Sequence, residues 1–256
     1  MKNILLSKHD GSLENPYHFW IGYLLPIINE ADSNKNSNDT FLIHECGKMT
    51  HWLKTLSDYY KNIDIVRIEN IFQLYLNNNK NKIFNNYDNP LNFNKDFLLK
   101  STTLAKNIFI DKKYNDKTPI GILDRRPLEE YDGNEKNKTT RLINNIDQLK
   151  NMTKQNSKVI NTSNYDPIKS ASEYSQLSVL VGQWGAGLTN MIWMKPGSTI
   201  IQISAPQKIY PELWENSFKL LAECLGHNFI NIIAQDNWSS DADLEKIVKI
   251  INEIEL

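Results

Sequence analysis

Two cysteines, Cys46 and Cys224, are all that the chain carries, and they lie far apart without metal-ligand spacing. That excludes a disulfide framework and fits a reducing compartment. An excess of one charge sign is missing too: 29 Lys and Arg stand against 30 Asp and Glu, for a net charge of -1. With no basic field, nucleic acid is not an expected partner, and no polybasic face invites anionic lipid. Long apolar runs are lacking, and none approaches the roughly 20 residues of a membrane-spanning helix. The start, MKNILLSKHD, has too short an apolar stretch for a signal peptide, so a cytoplasmic location is expected. What remains is a chain of 256 residues with 40% apolar content. That is enough for one large domain or two small ones with packed cores.

Hydrophobic periodicity then gives the order of elements. In the first half, 2–6 reads as a strand and 18–30 as an amphipathic helix, with Phe19, Trp20, Tyr23, Leu24 and Ile27 at helical spacing. A polar loop over 31–39 precedes a strand at 40–44, a helix at 49–60 and a strand at 63–68. The stretch 77–94 is mostly Asn, Lys and Asp and reads as a loop or insertion, followed by a helix at 97–109. The second half is more regular. Strands are predicted at 119–123, 158–162, 177–181, 199–203 and 229–233. Helices are predicted at 140–152, 166–175, 186–194, 212–225 and 241–254. The helix at 166–175 opens on Asp-Pro, and the one at 212–225 stops at Gly226, where a C-cap glycine belongs. Alternating strands and helices imply an α/β fold with parallel sheets covered on both faces. Two such runs predict two Rossmann-like domains facing a cleft, over 1–100 and 101–240, with the helix in 241–256 packing back on the first.

The densest signal is VGQWGAGLTN, Val181 to Asn190, where an apolar strand ends at Gly182 and a helix starts near Ala186. Small residues let backbone approach a ligand closely. The first N–H groups of a helix lack partners and carry partial positive charge, which favours a diphosphate. The spacing is neither the dinucleotide GxGxxG nor a Walker loop, which needs a lysine, and this counts against an NAD enzyme. On its glycines alone, the turn reads equally as a tight strand–helix connection that binds nothing.

The wider wording is more specific. GAGLTNMIWMKPGSTIIQI closely resembles the signature of the family 61 glycosyltransferases, which include plant β-1,2-xylosyltransferase and the extracellular O-linked N-acetylglucosamine transferase. ILDRR (Ile122 to Arg126) and RLINN (Arg141 to Asn145) resemble the family's strand-end arginine and its later Arg-x-x-Asn, here Arg141 and Asn144. NPYHFWIGYLLP, Asn15 to Pro26, is similar to its N-terminal aromatic-His-aromatic helix. Two positions depart from the pattern: Trp184 stands where the family has histidine, and Gln202 where it has glutamate. The resemblance implies a fold of the GT-B type. It also implies transfer of xylose or N-acetylglucosamine from a UDP-sugar donor to a carbohydrate acceptor, inverting, with no cofactor and no obligatory metal. The departures leave open a non-catalytic homologue that binds a sugar nucleotide or a glycan. Since family members of the secretory pathway normally carry a membrane anchor, a cytoplasmic microbial or viral enzyme is expected.

Such a transfer must take a proton from the acceptor hydroxyl and stabilise the leaving diphosphate. Arg125, Arg126 and Arg141 suit the phosphates, because guanidinium matches their geometry. The alternative for Arg125 and Arg126 is a surface pair bridged to Asp124, Glu129 or Glu130. The amides of Gly185, Ala186, Gly187 and Leu188, with Asn190, would complete the phosphate contacts, and Trp184 and Gln202 would line the donor pocket. Gln202 can accept and donate hydrogen bonds; Trp184 cannot act as an acid or base but can stack on a ring. For the base, Glu45 follows the strand at 40–44, at the edge where α/β sheets bind ligands, and partial burial would raise its pKa. It reads alternatively as an acid interacting with a helix dipole. His44 and His18 are the rival bases; the other reading of His18 is a histidine packed among Tyr17, Phe19 and Trp20.

Overall fold

The computed structural model describes residues 2–7, 12–36, 38–67, 81–84, 87–124, 142–143, 145–153, 156–161, 166–204, 212, 216–234, 239–240 and 243–254. The chain divides into two compact units, Met1–Asp111 with Tyr165–Ala171 and Lys112–Asn164 with Ser172–Leu256. Every strand pairing among the described residues is parallel, as the strand–helix alternation predicts.

The first unit holds β1 (Lys2–Ser7), β2 (Thr40–His44), β3 (Ile63–Val66) and β4 (Asn81–Phe84), in the spatial order β3-β2-β1-β4. β4 lies inside the stretch expected to be a loop or insertion. It pairs at the sheet edge, Ile4 beside Asn81 and Leu6 beside Ile83. An edge strand has one neighbour and tolerates Asn and Lys, so its polarity hid it.

After β1 the chain enters α1 (Pro16–Phe19), which passes through a π-helical segment (Trp20–Leu24) into α2 (Leu25–Ser33). Pro16 fills the first helical position, and the Asn15 side chain accepts from the Tyr17 N–H at 3.0 Å. This helix is not amphipathic as expected: every residue from Phe19 to Ile28 is buried. Pro26 has no N–H to return to the Gly22 carbonyl, and the ladder widens just upstream, where the Leu25 N–H reaches Trp20 O. α3 (Thr50–Tyr59) and α4 (Lys95–Phe109) complete the unit. Trp52 of α3 meets Trp20 edge-on at 5.4 Å and Phe109 of α4 at 5.1 Å, so one aromatic cluster ties three helices together.

The second unit contains β5 (Ile120–Asp124), β6 (Leu142–Ile143), β7 (Ser157–Asn161), β8 (Val179–Gln183), β9 (Thr199–Ser204), β10 (Asn228–Ile233) and β11 (Ser239–Ser240). Five strands form the main sheet in the order β10-β9-β8-β5-β7, while β6 and β11 pair separately. The helix expected over 140–152 therefore begins later, as α5 (Ile146–Met152). α6 (Pro167–Ser175) starts as its Asp-Pro predicts, with Asp166 Oδ1 accepting from the Lys169 N–H at 2.8 Å. α7 (Ser217–Leu225) ends on Gly226 in the left-handed conformation, φ 76. α8 (Leu244–Glu253) is capped by Asp243.

One face of the main sheet is apolar. Ile120, Ile122, Val179, Val181, Ile201, Ile203 and Ile232 are buried there with Ile146 and Leu149 of α5 and Ile247 and Ile251 of α8. Each such side chain contributes about 1.5–3 kcal/mol of transfer free energy on full burial. Ile247 and Ile251 place the apolar stripe of α8 in the second unit's core. Among the described residues, no helix is long and apolar enough to cross a membrane.

Candidate functional site

In an open parallel sheet, ligands bind beyond the carboxyl ends of the strands, where successive strands depart in opposite directions. In the second unit the chain runs β5 to β7 on one side, then β8, β9 and β10 on the other, so this point lies between β5 and β8. β5 ends on Asp124, which is buried, and β8 ends on Gln183, followed by Trp184 and Gly185.

The turn after β8 is built for close approach. Gly185 has φ 149, ψ 172, a backbone conformation essentially confined to glycine. The helix that follows, Ala186–Trp193, is a 3-10 helix rather than the α-helix expected. Its tighter ladder consumes the Leu188 N–H, which donates to Gly185 O at 2.9 Å. Leu188, expected among the phosphate donors, is therefore committed to the helix. The N–H groups of Ala186 and Gly187 precede the first helical bond and have no partner within the helix. Asn190 turns inward, its Nδ2 donating to Gly187 O at 2.9 Å, so it fixes the turn from within. Trp184 is only 9% exposed, and its ring meets Phe218 of α7 edge-on at 5.9 Å. Little of that ring is left to stack on a sugar.

On β9, Ile201 and Ile203 point into the apolar core, so Gln202 points to the opposite face. Gln202 Nε2 donates to Ser204 Oγ at 2.9 Å and to Asn231 Oδ1 at 3.3 Å. The residue is 2% exposed, and Gln202 Oε1 has no hydrogen-bond partner among the described residues. A buried acceptor left unmet costs about 1–3 kcal/mol, which a ligand hydroxyl or N–H would relieve. Ser204 and Asn231, which hold the amide in this orientation, escaped the sequence reading. Only their place near a strand's carboxyl end marked them. Arg125, Arg126, Arg141 and Asn144 lie outside the described residues.

In the first unit the corresponding point lies between β1 and β4, since β2 and β3 extend the sheet on the other side of β1. His18 sits in α1, the helix that follows β1, and Asp88 comes soon after β4. They meet: His18 Nδ1 lies 2.5 Å from Asp88 Oδ2. Asp88 is 3% exposed, and its backbone carbonyl accepts from Tyr17 Oη at 2.8 Å. Burial, with the Asp88 charge beside it, holds the Tyr17 hydroxyl far above its usual range, so it stays a donor. Tyr17 also crosses His18 edge-on at 5.5 Å. Asp88 had no sequence signal beyond being one acid in a polar stretch.

Glu45 follows β2, and its N–H donates to Val66 O at 3.1 Å. Its side chain is exposed, not partly buried as expected, and makes no hydrogen bond or ion pair among the described residues. The neighbouring His44 is a packing residue. Its ring stacks on Tyr23 at 4.7 Å, Nδ1 lies 3.0 Å from Glu45 O, and burial pushes its pKa below the usual value. Burial likewise raises the Cys46 thiol, with Glu45 adding to the effect, so it stays protonated.

No curated protein matches the chain. The Glycosyltransferase 61 family model matches residues 17–201, more than half of the sequence. The matched span begins beside His18, takes in Glu45, Asp88 and the Gly185 turn, and stops one residue short of Gln202. Two parallel α/β units, each with polar groups gathered where its sheet would receive a ligand, agree with that match, and the chain belongs to the glycosyltransferase 61 family.

Proposed function

We propose that the protein is an inverting, metal-independent glycosyltransferase of the GT-B type. It moves xylose or N-acetylglucosamine from a UDP-sugar to a glycan hydroxyl. The second unit takes the donor. The observation that carries this is the turn at Gly185, which leaves the Ala186 and Gly187 N–H groups without helical partners beside a sheet that also holds the buried, unmet Gln202 Oε1. Backbone N–H groups suit a diphosphate, and a lone carbonyl acceptor suits a ribose hydroxyl. Arg125, Arg126, Arg141 and Asn144 complete the diphosphate contacts in this reading. The first unit takes the acceptor and supplies the base, with Glu45 and His18 as its candidates. The Asp-x-Asp that the sequence carries, Asp241 to Asp243, spends Asp243 as the cap of α8, where Oδ1 accepts from the Lys246 N–H at 3.1 Å. In this reading positive side chains and N–H groups offset the leaving charge.

The test is a thermal-shift panel of UDP-sugars against NAD and ATP, followed by UDP release with and without glycan acceptors. Stabilisation by a UDP-sugar and slow UDP release are expected. Stabilisation by NAD or ATP alone would reject the assignment. A second reading is a binding protein without catalysis, favoured by Trp184, which is packed on Phe218 where the family carries histidine. Tight UDP-sugar binding with no hydrolysis or transfer would select it.

A further inference from the structure

The His18–Asp88 pair spans the point in the first sheet where ligands of parallel α/β folds bind. The chain leaves β1 towards one side of the sheet and returns through β4 on the other. The two residues are 70 positions apart in sequence, yet the carboxylate and imidazole meet at 2.5 Å. The Asp88 side chain is 5% exposed and that of His18 24%. The carboxylate is thus buried behind the ring, and part of the ring reaches the surface.

Asp88 is held from several directions. Tyr17 Oη anchors its backbone carbonyl at 2.8 Å. Gly22 lets the helix approach the carboxylate: a Cβ there would lie 3.2 Å from Asp88 Cγ and 3.4 Å from Oδ2. That contact is tighter than most real ones, so even alanine at 22 would press on the acid. Asn15 and Pro16 fix the first turn of α1, and with it the position of His18. A brace for that turn would need only the Asn15 cap already present. A buried carboxylate clamped onto one ring nitrogen does more: it fixes the tautomer and the ring plane.

We infer that Asp88 is a positioning residue that holds His18 as the general base of glycosyl transfer. The inference rests on the glycosyltransferase reading above and chooses between its two candidate bases. Asp88 accepts the Nδ1–H, so Nε2 carries the lone pair. Nε2 takes the proton of the acceptor hydroxyl as that oxygen bonds to the anomeric carbon. The bond from the anomeric carbon to the diphosphate oxygen breaks, and its electron pair leaves with UDP. The imidazolium, stabilised by Asp88, then returns the proton to solvent. Glu45 has no comparable support, its side chain being exposed and without a hydrogen bond or ion pair among the described residues.

The experiment uses the full chain with the UDP-sugar that stabilises it best. His18→Gln, Asp88→Asn and Glu45→Gln are compared by donor affinity, kcat and KM. Side-chain nitrogen–proton NMR of the histidines reports the tautomer. His18→Gln should lower kcat ~100-fold or more, the usual weight of a general base, with donor affinity unchanged. Asp88→Asn should lower kcat at least ~10-fold at constant KM and move His18 away from the Nδ1–H tautomer, as expected for loss of an orienting carboxylate. Wild-type kcat in His18→Gln, a larger loss in Glu45→Gln, or an Nε2–H tautomer in the wild type would overturn the inference. If Asp88→Asn does not fold, the wild-type spectrum and His18→Gln still decide. If the wild type binds no nucleotide sugar, the glycosyltransferase reading fails. A spectrum that still shows the Asp88-bound Nδ1–H tautomer then keeps the dyad as a general base for another substrate, whereas its absence removes both.

Discussion

Gln202 and Asn231 face each other across β9 and β10, with Gln202 Nε2 3.3 Å from Asn231 Oδ1. Ser204 Oγ bridges them, accepting from Gln202 at 2.9 Å and donating to Asn231 at 2.8 Å. This chain of donors points one way. It consumes the amide N–H groups of Gln202 and leaves Oε1 as a buried acceptor. Gln202→Leu removes that unmet acceptor and leaves Ser204 bonded to Asn231. The thermal midpoint of the apo protein should hold or rise. UDP-sugar affinity should fall ~3–10-fold, the weight of one hydrogen bond. Calorimetric titration reads the second effect, and unchanged affinity would remove Gln202 from the donor site.

Gly185→Ala separates strain from function. At φ 149 any side chain costs ~1–3 kcal/mol. The turn would relieve that strain by rotating the peptides that present the Ala186 and Gly187 N–H groups. Gly197, φ 88, supplies the control, because it precedes β9 at the amino end of the sheet and a Cβ there meets nothing within 4 Å. Both alanine variants should lower the unfolding midpoint. Only Gly185→Ala should weaken UDP-sugar binding. Equal affinities for the two variants would count against the turn as a phosphate site.

How much of this was legible in the sequence depended on which kind of signal each feature carries. Buried parallel strands announce themselves as apolar runs, so β2, β5, β8 and β9 fall within a residue or two of expectation. β4 did not, because an edge strand needs no apolar run. The helix through Trp20 was found, but its π segment was not. That segment depends on how Pro26 interrupts a hydrogen-bond ladder, which periodicity does not encode. The Gly185 turn was visible as small residues after a strand, whereas the shift to a 3-10 helix, which removes Leu188 from the donors, was not. Asp88 is the instructive miss. Its importance comes from the order of β1 and β4 in space, and without β4 nothing linked it to His18.

His44 makes stability depend on pH in a direction fixed by its burial. Its folded pKa lies below the ordinary histidine value of 6.5, so the folded state keeps the ring neutral where the unfolded chain takes up a proton. Its contribution is therefore complete above pH 6.5 and is lost as pH falls from there through the folded value. His44→Phe retains a ring to stack on Tyr23 and has no proton to bind. Urea unfolding from pH 7.5 down to about 5.5 should show a smaller decline for the variant than for the wild type. Parallel declines would mean that another group controls acid stability.

Lys106, in the last turn of α4, gives the opposite test because it is a cation forced into the fold. Burial alone lowers its pKa from 10.5 to about 8. Below that value the folded state must keep the ammonium charged and poorly hydrated, whereas the unfolded chain solvates it. The penalty is thus complete below pH 8 and is relieved as pH rises towards 10.5. Lys106→Met keeps the aliphatic stem without the charge, and should raise the thermal midpoint at pH 7 more than at pH 10. The same shift leaves roughly half of the Lys106 amines neutral at pH 8, against less than ~1% for an ordinary lysine. Brief acetylation at pH 8, read by peptide mass spectrometry, should modify Lys106 faster than its partial burial alone would permit. A rate no higher than that of exposed Lys219 scaled down to the accessibility of Lys106 would show an ordinary ammonium, and the stability difference between pH 7 and pH 10 should then vanish with it.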